Sequence, residues 1–225
     1  MNNAWIRAGW AAPDCIIAGT TLRSTSFDSC DIPGDACWLT QVHGADVISA
    51  GHYETPPEAD ASVGDVPGRI CVVRTADCLP VLICSADGKE VAAAHAGWRG
   101  LAAGVLEATV GKMSHAAGDL LVWLGPAISQ PAFEVGDEVR QAFLDQDKAT
   151  ESCFVPNERG RWQADLYALA RRRLEAMGVT RIAGGGYCTY SDKARFFSYR
   201  RNPDCGRMVS FVAIEALEKP CPDAI

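Results

Sequence analysis

ICVVRTADCLPVLICSADGKEVAAAHAGWRG, residues 70–100, carries three strand signals and one change of period. Val and Ile fill the runs 70–75, 81–84 and 91–95, each bounded by turn-forming residues, and these predict strands. Asp87-Gly88 between the second and third runs predicts a tight hairpin, since such turns favour residues that tolerate positive φ. Beyond Gly100 the period lengthens. Ala103, Leu106, Val110, Met113 and Ala117 recur every three or four residues, one face of an amphipathic helix that Gly118-Asp119 ends. Residues 120–124, LLVWL, return to a strand. Helices are predicted over 137–144 and through Leu166, Ala170, Leu174 and Met177, with Gly178 as the C-terminal cap of the second. Strands at 181–183, 196–199 and 208–214 close the chain. Residues 51–68, GHYETPPEADASVGDVPG, are the most linker-like stretch, and a loop of that length could form one wall of a site. Hairpins mixed with helices predict an α+β fold, a mixed and largely antiparallel core flanked by helices.

A chain of 225 residues can bury a sizeable core, so a single domain over 1–225 is expected. Lys plus Arg is 21 and Asp plus Glu is 28, a net charge of -7, with no basic tract. That balance argues against nucleic acid or an anionic membrane as partner. Several arginines fall near the C-terminus, so a local anion site stays open. No apolar run is long enough to cross a bilayer, and the first residues lack the apolar core of a signal peptide. A cytoplasmic location follows as an expectation, and the ten cysteines read as thiols or metal ligands, not disulfides.

Only four histidines are present: His43, His52, His95 and His115. His43 lies in QVHG, at the end of a strand-like segment. His95 ends VAAAH, and Cys78 lies in the turn TADCLP between two strands. Zinc accepts imidazole nitrogen and thiolate sulfur, and a catalytic zinc has three protein ligands and one open position. His43, Cys78 and His95 are therefore candidate ligands, with hydrogen-bonded histidines and a buried thiol as the alternative reading. His115 reads as solvated and His52 as uncommitted. In AGWRG, Gly97 and Gly100 flank Trp98 and Arg99 where a strand meets a helix. Arg99 beside free amides predicts an anion site, or else a tight turn with Trp98 as a core plug. In FFSYRRNPDCGR, strand alternation would point only one of Arg200 and Arg201 into a given pocket.

These segments resemble a known family. QVHG, TADCLPVL, AHAGWRG, GPAIS…FEVG and CT…FFSYRR…GRM stand in order over about Leu39 to Ile214, similar to the bacterial laccase-domain, or YfiH-like, multicopper polyphenol oxidase family. The resemblance implies a fold like that of Cys–His hydrolases and deamidating toxins, and zinc held by His43, Cys78 and His95. It also implies phosphorolysis of purine nucleosides (adenosine, inosine, guanosine and methylthioadenosine) and an adenosine deaminase activity. Some members are named peptidoglycan editing factors. The family's usual TTR-x-GGVS segment appears here as the shortened GTTLRSTSFDSC, and its CYEVG as AFEVG, with Ala132 in the cysteine position.

Four histidines cannot build a multicopper cluster, though a single site of this kind could hold one copper. In the zinc reading, Asp77 is the candidate for proton handling or support of the ligands. Arg99 and one of Arg200 or Arg201 are candidates for inorganic phosphate. Two other classes are weighed beside it: a Cys–His amide hydrolase with Cys78 as nucleophile and His95 as base, acting for example on a peptidoglycan precursor, and a non-enzymatic zinc-binding module.

Overall fold

The structure is a computed structural model that describes residues 5–30, 32 and 34–216. In chain order its strands are β1 Trp5–Arg7, β2 Ile16–Thr21, β3 Asp35–Cys37, β4 Val47–Ser49, β5 Ala61–Gly64, β6 Arg69–Thr75, β7 Leu79–Ser85, β8 Val91–Ala96, β9 Leu120–Leu124, β10 Glu134–Val135, β11 Phe154–Pro156, β12 Trp162–Ala164, β13 Arg181–Gly184 and β14 Met208–Ile214. The α-helices are α1 Trp98–Ala103, α2 Val105–Lys112, α3 Asp137–Leu144 and α4 Leu166–Ala176.

One sheet runs β1-β2-β14-β6-β3 and a second runs β13-β9-β7-β8-β5-β4. Most pairs are antiparallel; β3 with β6, β4 with β5 and β13 with β9 are parallel. A small third sheet, β10-β12-β11, is antiparallel. The expected mixed, largely antiparallel fold is what forms.

Period-two alternation sorts the side chains into layers. From β7, Leu79, Val81 and Ile83 join Leu106, Leu169 and Leu174 beneath the helices. Leu82 and Cys84 face the other way and meet Cys71, Val73 and Val212 between the two large sheets. On the far side of the first sheet, Ile70, Val72 and Phe211 form a third cluster that Trp5, Phe27 and Trp38 cover. A strand buried on both faces needs an almost continuous apolar run, which is what LPVLIC supplies.

Four expectations are corrected. The helix read over 103–117 is broken: Gly104 takes φ 92, its amide caps α1 on Gly100 and Leu101, and α2 ends at extended Met113. Leu106, Val110 and Met113 still share one core, so the apolar period survives a break in the backbone. Residues 196–199 are not a strand but part of a run of turns. The linker-like stretch 51–68 contains β5, whose four residues are all buried between β4 and β8. Gly178 does follow α4 with φ 94, its amide bonded to the Glu175 carbonyl. His115 is not simply solvated: Nδ1 meets Glu90 at 2.8 Å and Nε2 meets Asp87 at 3.2 Å.

Nine cysteines are free thiols among the described residues, and Cys221 lies outside them. No helix among the described residues is long and apolar enough to cross a membrane.

Candidate active site

Alternation along β8 puts His95 on the same face as Val91 and Ala93, toward the space between the sheets. It stands at the end of the strand, where the apolar cluster gives way to an open cavity. Cys78 arrives from the turn between β6 and β7. That turn holds Asp77 at φ 89, a conformation costly for a residue with a Cβ. Hydrogen bonds fix it: the Asp77 carboxylate accepts from Thr189 Oγ1 at 2.6 Å, Ser198 Oγ at 3.0 Å and the Arg200 amide at 2.7 Å. These bonds also explain why FFSYRR is not a strand, since Ser198 and Arg200 fold onto Asp77.

His43 has φ 61, and a buried carboxylate holds its backbone. The amides of Val42, His43 and Gly44 all donate to Asp60, at 3.2, 3.0 and 2.6 Å. Successive amides converging on one anion form a nest. The same carboxylate accepts from His95 Nδ1 at 2.7 Å, and the His95 amide donates to the Asp60 carbonyl at 2.7 Å. Asp60 is fully buried and sits just before β5. It ties the QVHG segment to β8 and turns His95 Nε2 into the cavity. Sequence reasoning missed it, because EADAS lies in the stretch read as a linker.

The ligating atoms of His43, Cys78 and His95 lie within 4.8 Å of one another. Cys78 Sγ is 3.9 Å from His43 Nε2, and the two imidazoles meet edge to face with centroids 4.7 Å apart. Gly97 is explained by this cluster: a Cβ there would fall 2.9 Å from Cys78 Sγ and 3.3 Å from His43 Cδ2. Burial pushes the Cys78 thiol up, but hydrogen bonding and charge from His43 and His95 outweigh it and hold the thiol at about 6. Burial pushes His95 down, and its contacts with Asp60 and Cys78 overcome that and raise it to about 9.

The donor set fits a metal. Tetrahedral zinc holds nitrogen and sulfur ligands about 3.3–3.6 Å apart, a small contraction from what is seen. The bond from His95 to Asp60 is the usual way a ligating imidazole is oriented. No fourth His, Cys, Asp or Glu joins the cluster among the described residues, which leaves one position open.

The cluster forms the floor of a cavity of about 860 Å³. Arg74, Arg99, Arg200 and Arg207 line it, and none of the four has a carboxylate partner among the described residues. Arg99 lies over the ring of Trp98, 4.5 Å from its centroid. Trp98 is partly buried against the core, so turn and plug coexist with a cavity-facing arginine. With six residues, α1 adds little as an anion-binding helix end. Arg200 rests on the Glu134 carbonyl at 3.0 Å and over the Phe133 ring. Arg201 is spent elsewhere, on the carbonyls of Thr189, Tyr190 and Phe196, and does not line the cavity. Arg74 was missed because it reads as mid-strand; Arg207 was visible only as a neighbour of the FFSYRR cluster.

Two packed mixed sheets, with a His2Cys cluster open to a basic cavity, define a class of protein whose site can hold a metal. The chain belongs to the multi-copper polyphenol oxidoreductase laccase family, whose model matches residues 17–215. It is 46% identical to a purine nucleoside phosphorylase of Pseudomonas aeruginosa, an alignment covering 95% of this chain and 99% of that one. It is 50% identical to the purine nucleoside phosphorylase YfiH of Escherichia coli K12, covering 84% of this chain and 78% of the relative. A Neisseria meningitidis protein of known crystal structure superposes with a TM-score of 0.88 at 36% identity, over 95% of this chain and all of that one. YlmD of Geobacillus stearothermophilus does so with 0.86 at 25% identity, over 96% of this chain and 98% of its own. The family implies a metal, and the His43–Cys78–His95 cluster can hold one.

Proposed function

We propose that this chain is a zinc-dependent purine nucleoside phosphorylase acting on adenosine, inosine, guanosine and methylthioadenosine, with adenosine deaminase as a second activity. The observation that supports the reading is the His43–Cys78–His95 cluster, which can hold a metal and lines a cavity whose four arginines lack carboxylate partners among the described residues. The names of the relatives point the same way.

Zinc would be held by His43, Cys78 and His95, and when bound supplies Lewis acidity and lowers the pKa of water. The chain's own residues do the rest. Arg99 and Arg200 hold a phosphate dianion, which neither the acidic surface nor bulk water would concentrate. In phosphorolysis a phosphate oxygen bonds to C1′ as the C1′–N9 bond breaks, and the purine leaves with the electron pair and takes up a proton. Trp98 and Phe133, which line the cavity, seat Arg99 and Arg200 over their rings and exclude water. Asp77 is a positioning residue in this reading. Both its oxygens accept hydrogen bonds, through which it fixes the Cys78 turn and the Arg200 backbone. The protein is read as one cytoplasmic domain with nucleoside and inorganic phosphate as its partners.

One observation favours a second reading. Cys78 held at about 6 beside His95 is also an activated nucleophile of the Cys–His amide hydrolase kind, as a precursor-editing enzyme would need. Metal content separates the two, because a coordinated thiolate is a poor free nucleophile. The open ligand position argues against a purely structural zinc module.

The test incubates adenosine with and without phosphate and quantifies adenine and inosine by chromatography. Arg99→Ala should lower phosphorolysis by about 10²-fold, with a smaller loss of deamination. His95→Ala should abolish both. Adenine released equally fast without phosphate would make the enzyme a hydrolase. No product from fully metallated protein would leave the amide-hydrolase reading.

A further inference from the structure

Between β13 and β14 the chain runs from 185 to 207 without a helix or strand. A stretch of that length has no backbone ladder of its own, so side chains must hold it. It carries the three donors to the Asp77 carboxylate: Thr189 Oγ1, Ser198 Oγ and the Arg200 amide. Thr189 and Ser198 are fully buried. Asp77, at φ 89, leads directly into Cys78, and Arg200 reaches the cavity from the same loop.

Arg201 stands behind this arrangement. Its guanidinium donates to the carbonyls of Thr189 at 2.9 Å, Tyr190 at 2.7 Å and Phe196 at 2.7 Å. Its amide donates to Ser198 Oγ at 3.3 Å, the same hydroxyl that donates to Asp77. One planar fork therefore staples together the two arms of the loop, 189–190 and 196–200, that both bond the Asp77 carboxylate. No carboxylate pairs with Arg201 among the described residues, so its charge is used on carbonyl dipoles. Several N–H donors fixed in one plane suit that task, and the single ammonium of a lysine does not.

We propose that Arg201 is a positioning residue that sets the Cys78 turn and the Arg200 backbone together, so that one clamp outside the cavity governs both metal affinity and anion affinity within it. Arg201 does not line the cavity. Its effect passes through the loop to Asp77, whose backbone continues into Cys78 and whose carboxylate holds the Arg200 amide. The anion half of the inference rests on the reading of Arg200 as a phosphate contact. The metal half needs only the His43–Cys78–His95 cluster.

The test loads the full chain with cobalt(II). Its thiolate-to-metal charge-transfer band reports the bond to Cys78, and competition with a chromophoric chelator gives its affinity. Arg201→Met should weaken cobalt binding by ~10-fold, the lower end of the cost of losing a group that orients a metal ligand, and should shrink the band. Inorganic phosphate, titrated calorimetrically into the loaded protein, should also bind ~10-fold more weakly. Arg201→Lys keeps the charge without the fork and should recover less than half of either loss on a logarithmic scale. Arg173→Met breaks an ion pair with Glu107 outside the loop, and it should leave both affinities within about twofold whatever its melting temperature. Cobalt affinity within about twofold of wild type in Arg201→Met overturns the proposal. So does full recovery in Arg201→Lys, or a fall in one affinity without the other. If Arg201→Met does not fold, Arg201→Lys decides: cobalt binding at least about threefold weaker supports the clamp, and wild-type affinity overturns it. Wild-type protein that binds cobalt through Cys78 but no phosphate removes the phosphate reading of Arg200, and the cobalt measurements then decide the clamp alone.

Discussion

Asp60→Asn isolates the residue that joins the two histidine segments. Its carboxylate accepts four hydrogen bonds, from His95 Nδ1 and the His43 amide on Oδ1 and from the Val42 and Gly44 amides on Oδ2. All four partners are donors. An asparagine offers one acceptor oxygen and one NH2, so whichever way it sits, two donors face an N–H. If the oxygen keeps His95 and His43, the Val42 and Gly44 amides lose their acceptor. At about 1–3 kcal/mol for each unpartnered group, the cost is roughly 2–6 kcal/mol, out of a total stability of about 5–15 kcal/mol. For a chain of this size even 2 kcal/mol lowers the melting temperature by roughly 4–8 °C. Loss of the carboxylate behind a ligating histidine weakens metal binding by about 10–100-fold. Differential scanning calorimetry reads the first effect and competition with a chromophoric chelator the second. Metal affinity within twofold of wild type, with a melting temperature within a degree, would refute the role assigned to Asp60.

Cys78→Ala should leave zinc occupancy far below one per chain by elemental analysis, because it removes the only thiolate of the cluster; full occupancy would disprove the ligand assignment. His115→Gln should alter the pH dependence of stability. Glu90, and then Asp87, hold the His115 pKa above its ordinary value, so the contribution is present in full below about pH 6.5 and is lost as pH rises through the raised value. Denaturant titrations should therefore show the wild-type advantage larger near pH 6 than near pH 9, and an advantage that grows with pH would contradict the pairing. Thiol titration of freshly purified, unfolded, non-reduced protein should find all ten cysteines reactive, as nine described free thiols and the absence of disulfides among them lead one to expect.

The stretch 70–100 was readable because each of its signals is local. Strand alternation, the Asp87-Gly88 turn with Gly88 at φ 71, and the buried strand LPVLIC all depend on residues within a few positions of one another. The placement of β14 between β2 and β6 depends on contacts across nearly the whole chain, and no neighbouring residue announces it. The break at Gly104 was hidden for the opposite reason: the apolar period continues through it, and periodicity reports which face is buried, not whether the backbone is continuous. FFSY has the composition of a strand, but Ser198 and the Arg200 amide find a better partner in Asp77 than a neighbouring strand could offer.

At the site, the three candidate ligands were recognisable through the motifs that carry them, while the residues that aim them were not. Asp60 works through hydrogen bonds to backbone amides, and an amide leaves no mark on the sequence. Charge shows the same limit more sharply. A chain with net charge -7 looks hostile to phosphate when its residues are merely counted. Folding changes the question from how many charges there are to which of them remain unpaired. Surface arginines such as Arg172 on Asp147 and Arg173 on Glu107 are neutralised by carboxylates. Arg74, Arg99, Arg200 and Arg207 are left to face one cavity, beside three ligand atoms that a metal can draw together. The acidic exterior then has a use of its own: it leaves the cavity as the place where an anion finds net positive charge.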